Sequence, residues 1–451
     1  VNGLNLSVVS SVISWFLVLL LIAAVVKAGY ILLERMGVLK RSQPLKKPVE
    51  LKGRPGLLDR LAGGVGIKLN SGAKLVVKIA VIVIISRLII YLFGYFAVML
   101  TKNEAEGFFT AFQSRWYKVD SVLFLNIAQN GYVSQGDDRL LIVFYPLYPL
   151  LISVVNFLFQ NLFVSGIIIS TLSLITACVY LYKLALLEFN DKEIAFNSMK
   201  FLLIFPFSFF LGLVFSDALF LALAIATFYY LRKQKWFLAG LFGGFASLTR
   251  NFGILLLIPA VIEYFAATKF IDKLKARNWK SIFTDLMSRG FYLCLIILGQ
   301  VVYLSINKIV TGDWFTFVKY QRENWNNGFS LNIVNNLTTY VYNAFDWKPA
   351  DAGTMWIPLI FLVLIVILLV FWAMRKIRLS YIAYTLAYLF ICLCATWLIS
   401  FPRYSLGLFP VYIILALLAA RSRTNNFWIT TVSVLALCCY TLAYALGLAI
   451  F

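Results

Sequence analysis

An all-α polytopic membrane protein with about twelve transmembrane helices is what this sequence predicts, on three observations. The chain of 451 residues is 62% hydrophobic and only 13% charged. Its apolar stretches are long enough to cross a hydrocarbon layer of roughly 30 Å again and again. Trp15 to Val26 and Leu359 to Ala373 are unbroken apolar runs, whereas barrel strands would alternate polar and apolar residues.

The formal charge of +21 comes mostly from short basic clusters between apolar spans. That pattern marks cytoplasmic loops, helped by attraction to anionic lipid, and it argues against nucleic acid as a partner. The chain has no histidine, and its six cysteines sit inside apolar segments. A disulfide framework, a zinc site or a haem site is therefore not expected.

Taken in order, Ile13 to Leu33 carries one charge, Lys27, and is too long for a signal peptide. Residues 1–34 are thus expected to form an additional N-terminal transmembrane helix. A basic cytoplasmic linker follows at 35–76, with ten Lys or Arg between Arg35 and Lys74 and with Pro44, Pro48 and Pro55 opposing a long helix. The remaining 77–451 reads as one transmembrane domain. Placing the basic loops at 232–235, 269–280, 375–378 and 421–423 inside gives spans at 77–100, 144–161, 163–186, 199–231, 236–249, 252–268, 288–311, 354–374, 380–399, 404–420 and 427–450. In this scheme 199–231 is one crossing interrupted at Phe205-Pro206-Phe207-Ser208. Two short helices there fit the residues equally but break the parity. Arg87, in the middle of a span, is expected to face the bundle interior.

Two outer loops result, 101–143 and 312–353. The first contains Asp120 at the start of an amphipathic stretch that ends at Gly131, the pattern of a short interfacial helix. Asp120 is either a general base for an acceptor hydroxyl or an N-cap. Glu104, Glu106, Asp137 and Asp138 read as solvated loop charges. Asp217, an acid within an apolar stretch, is either functional or a cap after the Pro206 break. Trp314, Trp325 and Trp347 fit an interfacial aromatic belt.

The order of motifs is informative. Asp120 is followed by Ile127-Ala128, Gly131-Tyr132 and Phe144-Tyr145-Pro146-Leu147-Tyr148-Pro149-Leu150. Farther on come Phe205-Pro206-Phe207-Ser208, Phe215-Ser216-Asp217-Ala218-Leu219-Phe220, Thr249-Arg250-Asn251-Phe252-Gly253 and Phe401-Pro402-Arg403-Tyr404. This series, at intervals through most of the chain after residue 77, resembles the PIG-V family, the second mannosyltransferase of glycosylphosphatidylinositol assembly and its prokaryotic relatives. The family's Trp before the aspartate is Val119 here, and its His is Leu123. Gly312-Asp313-Trp314-Phe315 and Gln321 with Trp325 resemble a second-loop pattern of bacterial relatives.

The resemblance implies a GT-C-like bundle over 77–451 whose extracytoplasmic loops carry interfacial helices. It implies a glycosyltransferase taking a sugar, mannose first, from a polyprenyl-phosphate, with Asp120 catalytic on the extracytoplasmic face. The acceptor, a glycolipid, glycan or protein, stays open. No cofactor or nucleotide is implied, and a divalent metal is left undecided. Arg250 and Arg403 interrupt apolar spans at their outer ends, where they would either hold the donor phosphate or snorkel. Tyr132, Tyr145, Asp217, Lys319, Gln321, Arg322, Trp325 and Tyr404 are further candidates for substrate contact. The competing readings are a transporter or lipid flippase, which would place its site at the midplane between related halves, and a noncatalytic subunit of the same fold.

Overall fold

The computed structural model describes residues 6–35, 71–102 and 108–450. Most of the basic linker, together with Glu104 and Glu106, lies outside the described residues. What is described is helical throughout, with one isolated β-bridge between Phe329 and Ala395.

The helices are α1 (Leu6–Arg35), α2 (Ser71–Lys102), α3 (Phe108–Trp116), α4 (Asp120–Asn130), α5 (Leu147–Phe159), α6 (Leu162–Phe189) and α7 (Lys192–Leu203). They continue with α8 (Asp217–Arg232), α9 (Trp236–Ser247), α10 (Leu257–Thr268), α11 (Phe270–Lys275), α12 (Trp279–Ser288) and α13 (Cys294–Thr311). The last are α14 (Thr316–Trp325), α15 (Ile333–Asp346), α16 (Ile357–Ala373), α17 (Leu379–Leu393), α18 (Pro410–Ala419) and α19 (Arg423–Leu446). Among the described residues seven helices are long and apolar enough to cross a membrane, or nine if each of two sharply bent pairs is one span. The protein is a multi-pass membrane protein; by length and composition the spans number seven to nine, against the twelve expected. Part of the shortfall is one of helix length, because α9 and α17 are apolar but only 12 and 15 residues long.

Charge sorts the bundle into two ends. At one end Glu188, closing α6, pairs with Arg232, closing α8, and with Arg378 at 3.0 Å. Glu263 of α10 joins them, at 3.4 Å from Arg232, and accepts from the Ser380 hydroxyl at 2.6 Å. Arg421 stacks over Trp372 at 4.8 Å, and Arg375 reaches Glu34 of α1 at 3.3 Å. The loops at 232–235, 375–378 and 421–423 and the start of 269–280 therefore share this basic end, as their charge predicts. The α1 helix belongs to the same core, burying Leu17, Leu21, Ala24 and Ile31.

Two of the expected spans are corrected. The C-terminal ends of α6 and α8 meet at Glu188 and Arg232, while near their N-terminal ends Gly166 lies against Val214. These helices therefore run parallel, so α7 and the irregular chain after it must carry the chain back between them. The 199–231 segment is two passages, not one interrupted crossing. The 144–161 segment, in turn, is not a crossing. The α5 helix is bent 110° from the preceding turn, and Ser153 on it donates to the Ala128 carbonyl of α4 at 2.5 Å. Past its end, Phe163 packs edge-on against Phe112 and Tyr117 of the α3 region. Both ends of α5 stay at the end of the bundle away from the basic loops. The two departures cancel in parity, which is why the loop assignment survives them.

Pro206 explains the break, since it lacks an N–H and disfavours helix at the residue before it. The carbonyls freed there are taken up by α2. Arg87 donates to the Leu203 carbonyl at 2.9 Å and the Ser208 carbonyl at 2.5 Å, and Tyr91 donates to the Gly212 carbonyl at 2.6 Å. Arg87 faces the interior as expected, and one of its partners, the Leu203 carbonyl, ends α7, where a helix carries partial negative charge.

Candidate functional site

Four separate segments deliver the charged side chains. Asp120 is the first residue of α4, preceded by Val119 in the left-handed half of backbone space, with φ 58° and ψ −135°. That conformation is costly for a β-branched residue and fixes the direction from which α4 starts. Helix α4 ends at Gly131, φ 71°, as predicted. It does not lie free at an interface, because Phe124, Leu125 and Ile127 are buried and Phe124 packs edge-on against Phe144 and Tyr148, each at 5.1 Å. Asp217 opens α8 immediately after the break at 204–216. Arg250 sits in extended conformation between α9 and the tight turn 251–256, and Arg403 on the single turn Phe401–Tyr404.

These four residues form one chain of alternating charge. Arg403 Nη1 is 2.7 Å from Asp120 Oδ2, and its Nε is 3.8 Å from Asp217 Oδ2. The other Asp217 oxygen accepts from Arg250 Nη1. Arg250 and Arg403 both lie over the Tyr404 ring, at 4.9 and 5.4 Å, and Arg403 also lies over Phe215 at 5.0 Å. Neither carboxylate occupies the cap position: Val119 and Ser216 are the N-cap residues of α4 and α8, and neither makes a side-chain capping bond. The capping alternatives for Asp120 and Asp217 are thereby corrected; both acids are placed for arginine. Snorkelling is corrected likewise, since Arg403 is buried and Arg250 is tied to a buried acid.

The quartet is electrically neutral but not saturated. Nε and Nη1 of Arg403 and Oδ2 of Asp217 are buried without an aligned hydrogen bond, the Asp120 contact being close but off-line. A planar guanidinium whose N–H groups are not aligned on their acid partners suits an oxyanion.

The quartet lines a cavity of about 570 Å³, to which Tyr145, Gln321, Trp325 and Tyr404 also contribute. Eight of the sequence candidates thus converge. Three do not. Lys319 and Arg322 line a separate shallow groove with Glu323, because they occupy the other face of α14. Tyr132 donates to the Phe144 carbonyl at 2.6 Å and serves to hold that wall; burial keeps its phenol well above the ordinary range. Trp347 packs on Trp356 and Trp397, not in the cavity lining. Sequence reasoning missed Asn251, Asn324, Asn326, Asn327 and Trp397, all of which line it. The run Asn324-Trp325-Asn326-Asn327-Gly328 was the available signal, polar and aromatic beside a turn residue. Among the described residues no group of three or more His, Cys, Asp or Glu stands close enough to hold a metal ion.

A family model described as dolichyl-phosphate-mannose-protein mannosyltransferase matches residues 145–304. That segment contains Tyr145, Asp217 and Arg250 but neither Asp120 nor Arg403. No curated protein gives a match. Among solved structures, the chain is similar to ArnT from Cupriavidus metallidurans in its crystal structure bound to undecaprenyl phosphate. The two share 14% identity over 81% of this chain and 75% of that one, with a TM-score of 0.46.

Proposed function

We propose that this protein is an integral membrane glycosyltransferase. It transfers a sugar, mannose on the family resemblances, from a polyprenyl-phosphate donor to an acceptor outside the cytoplasm. The observation that carries this reading is the Asp120–Arg403–Asp217–Arg250 chain lining a cavity at the bundle end away from the basic loops. The partial match to dolichyl-phosphate-mannose-dependent enzymes supports the donor class.

The chemistry follows from charge balance. Arg403 and Arg250 hold the donor phosphate, Arg403 exchanging Asp120 for a phosphate oxygen. Asp120, released, accepts the proton of an acceptor hydroxyl. The acceptor oxygen bonds to the anomeric carbon as the bond from that carbon to the phosphate oxygen breaks. The polyprenyl phosphate leaves with one more negative charge, which the two arginines stabilise more than they did the donor. Asp217 remains on Arg250 and keeps the second guanidinium aimed.

Purified protein incubated with radiolabelled polyprenyl-phosphate-mannose and host membrane extract tests this, the product being identified by its label. No labelled product with any polyprenyl-phosphate sugar would sink the reading. Movement of unmodified donor across sealed vesicles would favour the flippase instead.

A further inference from the structure

Helix α14 divides its chemistry by face. It has ten residues, three of them charged, and none of the charges enters the cavity: Lys319, Arg322 and Glu323 all line the outer groove. The cavity face presents Gln321, Asn324 and Trp325, continued by Asn326 and Asn327. The fold uses little of this polarity. Asn324 donates once, to the Tyr320 carbonyl at 3.2 Å. The side-chain amides of Gln321, Asn326 and Asn327 make no hydrogen bond among the described residues.

The wall is nonetheless stiff, because the turn that follows α14 is stitched to the loop after α17. The Ser330 N–H donates to the Cys394 carbonyl at 2.7 Å, and the Thr396 N–H to the Gly328 carbonyl at 2.9 Å. Gly328 N–H donates in return to Thr396 Oγ1 at 2.8 Å. Asn336 adds a bond to the Leu393 carbonyl at 3.0 Å. The same loop leads to Arg403, so the wall and the arginine are held in one frame.

A primary amide both donates and accepts, which is what each hydroxyl of a sugar requires. An indole beside it offers an apolar face with a polar edge, suited to the C–H face of a pyranose. A wall without charge gives no compensation for desolvating a charged group. We propose that Gln321, Asn324 and Trp325 form a subsite for a neutral hexose ring, supplied either by the donor's sugar or by a glycan acceptor. This rests on the glycosyltransferase reading.

The test uses the full chain in lipid nanodiscs, as wild type, as Gln321→Ala with Asn324→Ala, and as Gln321→Glu. The probes are sugar-free polyprenyl phosphate, sugar-bearing donor and acceptor. The alanine pair should keep its affinity for sugar-free lipid while the KM for one sugar-bearing substrate rises by about tenfold or more, from two lost neutral hydrogen bonds. A rise in donor KM and in the Kd for sugar-bearing lipid assigns the ring to the donor; a rise in acceptor KM alone assigns it to the acceptor. Both KM values unchanged, or equal weakening for sugar-free lipid, would overturn the subsite and leave the enzyme reading intact. If the alanine pair does not fold, Gln321→Glu decides alone: lower transfer supports the subsite and wild-type transfer overturns it. Wild type that neither binds sugar-bearing lipid nor transfers sugar overturns both.

Discussion

Asp120 carries the sharpest prediction, and its pairing with Arg403 changes what a substitution should do. Asp120→Asn leaves Arg403 short of a partner, so it should cost stability of about 1–3 kcal/mol by thermal unfolding, in contrast to a simple cap exchange. Combining it with Arg403→Gln should recover part of that stability without restoring transfer. The single variant should lose sugar transfer on the order of a hundredfold or more, as expected for a missing general base. It should also bind sugar-free polyprenyl phosphate at least as tightly as wild type, because the competitor for Arg403 is gone. Weakened lipid binding would show that Asp120 orients Arg403 instead of competing with phosphate. Arg403→Gln and Arg250→Gln should each weaken binding of the same lipid, by roughly tenfold or more for a lost charge-assisted contact. Equal affinities would remove the arginines from the phosphate site.

At the scale of elements, the segments that aim charged residues are the irregular ones, and their geometry depends on close backbone approach. Gly253, three residues beyond Arg250, shows this best. A Cβ there would stand 2.3 Å from the Ser247 backbone nitrogen and 2.4 Å from the Ala246 carbonyl carbon. Neither atom can swing aside, so Gly253→Ala should open the turn after α9, lower the unfolding temperature by a cost of about 1–3 kcal/mol, and reduce donor binding with it. A variant as stable as wild type would mean the turn has slack. The sequence made part of this legible. Asp120, Asp217, Arg250 and Arg403 could be singled out because charge in an apolar chain is conspicuous. Which acid meets which arginine was not legible, because their pairing depends on turns and breaks between 204 and 216 and between 394 and 403. That Lys319 and Arg322 line a separate groove was not legible for a related reason: charge alone does not say which face of α14 points inward.

For the whole molecule, the basic loops fixed the ends of the bundle even though two spans were misread. Charge segregation depends only on which loops lie together, whereas a short apolar run such as 147–159 reads the same whether it crosses or turns back. Single cysteines at Ser134 and Ser288, in a background lacking the six native ones, test the resulting sidedness. Both positions are exposed and lie toward opposite ends of the bundle. A membrane-impermeant thiol reagent should label position 134 in intact cells and reach 288 only after permeabilisation. The reverse pattern would invert the protein and move its cavity to the cytoplasm.

The clamp made by Arg87 also sets an order of assembly. A helix with arginine at its centre is disfavoured on insertion by about 2.5–3.5 kcal/mol for that residue alone. The carbonyls that receive Arg87 belong to Leu203 and Ser208, more than a hundred residues later in the chain. Until the Pro206 break has been synthesised, α2 therefore carries its arginine without these two partners. The same contact that closes the broken helix in the finished protein thus makes the early membrane intermediate incomplete.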